Sequence, residues 1–196
     1  METSPRLDDR YRNHMRGLVD YLASDFDERG HRADIHLDLQ QIKLPDESID
    51  VFLTPHVLEH VPDTERALAE IWRVLKPQGV ALIMVPIPQA RTMPPREPEF
   101  HGDNTPVFWR FGWDLTDKLK QSGFGTTILV TEELLERAQR RMIWGVDPTD
   151  VDPDDLLLHA GPYVEDMEVV ASREVTRELL LEPVYYFIAF EGRKGG

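Results

Sequence analysis

Hydrophobic and polar positions along the chain alternate between two periods, and the elements follow from them. Leu7, Tyr11, Met15, Leu18, Val19 and Leu22 recur at three- and four-residue steps behind Ser4-Pro5, which predicts a helix from Pro5 to about Ser24. A polar break at Arg29 to Arg32 leads to Ile35, Leu37 and Leu39, alternating with His36 and Asp38 as a short strand does. Ile49 to Leu53 is a nearly all-apolar run of the kind parallel strands show. Asp63 or Thr64 can cap a helix whose stripe is Ala67, Leu68, Ile71, Trp72, Val74 and Leu75, and Lys76-Pro77-Gln78-Gly79 stops it. Val80 to Val85 is again strand. A strand–helix–strand unit of this length is a right-handed crossover, so the chain is α/β.

Beyond it, 86–106 is a proline-rich irregular stretch, read as a lid or binding loop. Trp113 to Ser122 predicts a helix stopped by Gly123, Thr126 to Val130 a strand, and Glu132 to Met142 a helix. The segment 147–155 is an acidic loop, MEVVAS and TRELLL read as strands or a hairpin, and Pro183 to Glu191 as a strong last strand. No repeat or linker divides the chain. We expect one domain over 1–196: an N-terminal helix and turn (1–32), an α/β core (33–131), and a C-terminal helix, acidic loop and final strands (132–196).

Composition narrows the chemistry. A net charge of −14 argues against a nucleic-acid surface, which needs clustered Lys and Arg, and against anionic membranes. The chain has no cysteine, which removes disulfides, thiolate metal sites and cysteine nucleophiles. No apolar run is long enough to span a bilayer and the first residues lack a secretory core, so the expected location is cytoplasmic.

An ordered set of motifs runs through the middle of the chain: Asp38-Leu39, Leu44-Pro45, Ser48-Ile49-Asp50, His56-Val57-Leu58-Glu59-His60-Val61, and Arg73 to Gly79. It resembles class I S-adenosylmethionine (SAM)-dependent methyltransferases of the type 11 kind, over about Ile35 to Phe124 and loosely at the C-terminal end. The resemblance implies a Rossmann-like, mostly parallel sheet with an antiparallel last strand, SAM as cofactor, and a small-molecule acceptor. Carried over by position, it puts Asp38 and Leu39 at the adenine edge, and Thr54, Pro55 and His56 near the sulfonium. In such proteins a glycine-rich loop follows the first strand and an acidic residue follows the second. Here Gly17 and Gly30 are the only glycines before Gly79, and Gln78 stands where a second glycine is usual. The sequence therefore reads as N-terminally reduced, with its first two strands missing and the fourth strand's edge uncovered. An uncovered edge calls for a homodimer or protein partner. Two functions follow: a methyltransferase-like enzyme, degenerate, with an incomplete or composite SAM site, or a non-catalytic methyltransferase-like subunit or scaffold (a pseudoenzyme) that regulates a partner.

Other constellations have plainer readings. His56 to His60 fits H-x-x-E-H, a zinc-protease pattern, but Pro55 and Pro62 bracket it, and Glu59 and His60 read as bracing the next helix; no metal site is expected. The aspartates between 147 and 155 lack the glycine and glutamate of a calcium loop. His56 and His101 are the weak candidates for a catalytic base. Phe108, Trp109, Phe111 and Trp113 either line an acceptor pocket or pack over the sheet.

Overall fold

Strand order puts a reversal of direction in the middle of one eight-stranded sheet. A computed structural model describes residues 1–4, 9–27, 33–86, 91–101, 104–140, 160–178 and 188–196. Strand β1 (Glu2–Thr3) lies between β2 (Ala23–Asp25) and β4 (Ile49–Pro55), and β3 (Ile35–His36) forms the edge beyond β2. On the other side of β4 come β5 (Leu75–Met84), β10 (Ile188–Lys194), β8 (Phe124–Thr131) and β9 (Met167–Ala171). A separate two-stranded ribbon pairs β6 (Glu99–Phe100) with β7 (Pro106–Val107). Within the eight-stranded sheet pairing is parallel except where β10 runs antiparallel between β5 and β8. The antiparallel last strand is as the sequence led us to expect.

The expected loss of the first two strands is overturned. Glu2 pairs with Leu53 and Thr3 with Ser24, and the Leu53 N–H donates to the Met1 carbonyl at 2.9 Å. The uncovered β4 edge, from which we inferred a dimer or partner, is therefore occupied by this chain's own β1. These strands escaped detection because two or three residues carry no period, and Ala-Ser-Asp has neither β-branched nor aromatic side chains. Glu2 is 2% exposed, and its carboxylate accepts a hydrogen bond from the Tyr21 hydroxyl. Burial and that carboxylate together hold the Tyr21 phenol well above its usual range.

Helix α1 (Asp9–Leu18) is shorter than the stripe implied, and Ala23 and Ser24 are strand. Leu18 and Val19 are exposed, while Arg12 is the buried residue of the helix. Helix α2 (Thr64–Val74) starts at an Asp63 cap whose carboxylate accepts the Arg66 N–H at 3.0 Å, and buries Ala67, Leu68, Ile71 and Val74. Trp72 turns outward instead, and the Lys194 ammonium lies 4.0 Å above its ring. Lys76 to Gly79 forms a bulge between the Ile49–Leu75 and Val51–Val80 pairs. Gln78 there has φ +64, a backbone region that glycine enters at least cost.

Helix α3 (Leu115–Gln121) ends before Gly123 at φ +95, and α4 is Glu132–Arg140. α5 (Arg173–Glu178) corrects the strand expected at TRELLL over its first residues, Thr176 to Glu178. Residues 141–159, including the acidic loop, lie outside the described residues, as do 5–8, 28–32, 87–90, 102–103 and 179–187. Phe111 and Trp113 are fully buried beside Leu115, Leu119 and Ile128, so half of the aromatic cluster is core.

Candidate functional site

The chain leaves β1 outward to β2 and β3, then returns across it to β4. In open α/β sheets such a switch point opens a crevice beyond the carboxyl ends of the strands. A cleft of about 1080 Å³ lies there, lined by Thr3, Ser4, Ser24, Asp25 and Asp27 from the β1–β2 side. Leu37 to Gln40 line it from the β3 side, His56, Val57 and His60 from the end of β4, and Pro106 and Phe108 from the ribbon.

Each wall has a local cause. Asp25, the last residue of β2, is 9% exposed and accepts the Asp27 N–H at 2.9 Å, which turns the chain away from the sheet. Asp38 does the same after β3, accepting the Gln40 N–H at 2.8 Å. The segment that follows is bolted to α2. The Arg73 guanidinium donates to the Leu44 carbonyl at 3.0 Å and the Ile42 carbonyl at 2.7 Å, and to Asp46 and Glu70. Glu70 in turn accepts the Ile42 N–H at 2.8 Å. The Arg73 guanidinium, opposed by burial, holds the Glu70 carboxyl below its usual value.

Ser4 and His56, at the carboxyl ends of the adjacent strands β1 and β4, have φ +47 and +52. Left-handed backbone at non-glycine residues costs about 1–2 kcal/mol and tends to concentrate at binding sites. Here both such residues face the cleft.

Of the residues expected to bind cofactor, Asp38, Leu39 and His56 lie on the cleft wall. Thr54 is fully buried beneath it, and Pro55 is half-buried at the end of β4. His101 sits on the ribbon with its ring edge-on to His60, 4.6 Å between centroids. Asp63, not Glu59 or His60, caps α2, and Glu59 and His60 hold the ribbon. The Glu59 carbonyl accepts the Phe108 and Trp109 N–H groups at 2.9 and 3.2 Å, and His60 Nδ1 lies 2.7 Å from the Pro106 carbonyl oxygen. Asp25 and Ser4 were missed. A signal existed, an acidic residue ending a short strand ahead of the Ile35 strand, but the helix reading over 5–24 absorbed it.

Among the described lining residues are Asp25, Asp27 and Asp38, and neither lysine nor arginine. Such a wall repels phosphates and suits hydroxyl and amine donors or a cationic centre.

Comparison with known proteins agrees with this geometry. The model of a family described as "Methyltransferase domain" matches residues 14–83. A Mycolicibacterium smegmatis protein named as a probable S-adenosylmethionine-dependent methyltransferase is 43% identical over 56 residues, 28% of this chain and 22% of that one. The match thus spans under a quarter of that relative's length. The fold is shared with an S-adenosylmethionine-dependent methyltransferase from Mesorhizobium loti, at TM-score 0.56 and 17% identity over 98% of this chain and 89% of that one. It is shared too with a methyltransferase candidate from Bacillus halodurans, at TM-score 0.51 and 14% identity over 100% of this chain and 90% of that one. Among the described residues, no helix is long and apolar enough to cross a membrane. The strand order and the reversed last strand are those of a Rossmann-like methyltransferase fold, and residues 14–83, with most of the motifs from Asp38 to Gly79, are similar in sequence to a methyltransferase domain.

Proposed function

We propose that this chain binds SAM in the switch-point cleft and presents its methyl group to a small neutral or cationic acceptor. One observation carries the reading: two carboxylates at or just beyond strand ends, Asp25 and Asp38, face a cleft of about 1080 Å³ with neither lysine nor arginine among its described lining residues. Asp25 would take the ribose hydroxyls, Asp38 and Leu39 the adenine edge, and the backbone at His56 the sulfonium end. Bound SAM supplies an activated methyl group. The protein's part is in-line positioning of the acceptor, which needs little acid–base machinery. His56, 53% exposed by its side chain, or His101 on the neighbouring ribbon would accept a proton from an acceptor.

The residues fit the cofactor on this structure's own terms, because acidic side chains suit a sulfonium and a vicinal diol. Titration calorimetry of the purified chain with SAM and S-adenosylhomocysteine tests the reading. We expect micromolar affinity, weakened at least about tenfold in Asp25→Ala, which corresponds to about 1.4 kcal/mol. Absence of heat and of thermal shift at millimolar ligand would reject it. The second reading, a non-catalytic subunit regulating a partner, or a site completed by a second copy, draws on one feature. No glycine occurs between Met1 and Arg16, whereas a backbone that approaches a cofactor closely is built most readily from glycine.

A further inference from the structure

The wall between the ribbon and the end of β4 gathers donors that cofactor binding does not use. Glu59, 2% exposed, has imidazoles on two sides: His56 Nδ1 and His60 Nε2 each lie 3.9 Å from its Oε1, beyond hydrogen-bond length. His101 approaches from the ribbon, and one ligand atom each from Glu59, His60 and His101 lie within 4.8 Å of one another. The orientation of His60 is fixed from behind. Its Nδ1, 2.7 Å from the Pro106 carbonyl oxygen, must carry the proton in the neutral ring, which leaves the Nε2 lone pair aimed at Glu59 and His101. That is the outer-shell arrangement by which proteins select the ligating nitrogen of a histidine.

We propose that Glu59, His60 and His101 form a binding site for a divalent transition-metal ion of the zinc class. Two imidazole nitrogens and one carboxylate oxygen are donors that suit zinc, cobalt or nickel, and leave a coordination position open. Hard cations such as magnesium prefer an all-oxygen set and are disfavoured here. Bonds of about 2.0–2.2 Å put tetrahedral donors about 3.4 Å apart, so the Glu59–His60 pair closes by about half an ångström. His101 has room to follow, since it sits on a two-stranded ribbon held to β4 through Glu59, His60 and the Trp109 Nε1–H bond to the Pro62 carbonyl. The H-x-x-E-H pattern therefore acts here through a single-turn 3-10 helix, Leu58–His60, with the distant His101 as the third ligand in place of a second histidine on the same helix.

Metal binding is independent of the cofactor reading and is measured without SAM, so the two can fail separately. Tag-free protein, stripped with chelator, is titrated with zinc chloride and, in parallel, with cobalt chloride followed by visible absorption. We expect one zinc per chain at micromolar affinity and a cobalt ligand-field band. Affinity should fall at least tenfold in His101→Ala and Glu59→Gln, be unchanged in His14→Ala on the exposed face of α1, and be undetectable for magnesium. His101→Ala removes no backbone contact, so it reports on binding even if Glu59→Gln folds poorly. No stoichiometric zinc binding, or equal affinity in His101→Ala and wild type, overturns the proposal.

Discussion

Replacing Arg73 should loosen the cleft wall without touching it. The guanidinium makes two bonds to the Glu70 carboxylate at 2.8 and 2.9 Å, one to Asp46, and two to the carbonyls of Ile42 and Leu44. Its side chain is 30% exposed and that of Glu70 22%, so solvent screens these contacts in part. Bonds to charged groups contribute about 1.5–3 kcal/mol each when buried, and exposed ion pairs up to about 1. Assigning about 1 kcal/mol to each carbonyl bond and about 1 to the carboxylate pair gives about 3 kcal/mol for Arg73→Ala. For a chain of this size that lowers Tm by about 6–12 °C. Arg73→Lys keeps the charge but cannot fork across Glu70 and both carbonyls, and should recover less than half. The 42–46 segment follows directly on Asp38 to Gln40, so S-adenosylhomocysteine affinity should fall in the same variants. Thermal and urea denaturation at pH 7, with calorimetry, measure all three. A Tm for Arg73→Ala within about 2 °C of wild type, or full recovery by lysine, would refute the argument.

Acid stability tests the same cluster. The Glu70 carboxyl lies below its usual value of 4.5 in the folded state, chiefly because of Arg73, so its contribution is complete above that value and is lost as pH falls through the depressed one. Glu70→Gln should therefore be less stable than wild type at pH 7 and lose less between about pH 5 and 3 in urea titrations; parallel profiles would contradict the assignment. Gln78→Gly should raise stability by up to about 1 kcal/mol, since left-handed backbone costs a side chain about 1–2 kcal/mol and glycine's added unfolded-state entropy offsets part of it. Gly79→Ala should do the reverse, because its new Cβ would lie 2.8 Å from the Lys76 carbonyl oxygen, a backbone atom; equal melting temperatures for both variants would refute this pair.

What the sequence made legible was whatever repeats. The α2 stripe, its Asp63 cap and the strands β4, β5, β8 and β10 all span enough residues for the period to show, although β5 begins at Leu75 rather than Val80 and β10 runs on to Lys194. The Lys76 to Gly79 stop was visible too, and the backbone at Gln78 gives the physical reason a glycine is usual there. The cleft's far wall was not legible. β1, β2 and β3 contribute two, three and two residues, lengths at which neither alternation nor propensity rises above chance. Their pairing is fixed by distant partners, Leu53 for Glu2 and Ser24 for Thr3. Asp25 thus fell just past the end of an expected helix that covered the rest of its strand, and the Glu59–His60–His101 group needed a ribbon that joins residues 41 positions apart.

We infer that the carboxyl ends of β1, β2, β3 and β4 form one SAM pocket. Amide ¹H–¹⁵N spectra of the labelled chain, titrated with S-adenosylhomocysteine, test it most directly. Binding in this pocket should give saturable shifts clustered at Ser4, Asp25, Phe26, Leu39, Gln40, His56 and Val57, with little change around β8, β9 and α5. Shifts confined to the β8–β9 side, or a spectrum unmoved at millimolar ligand, would contradict it.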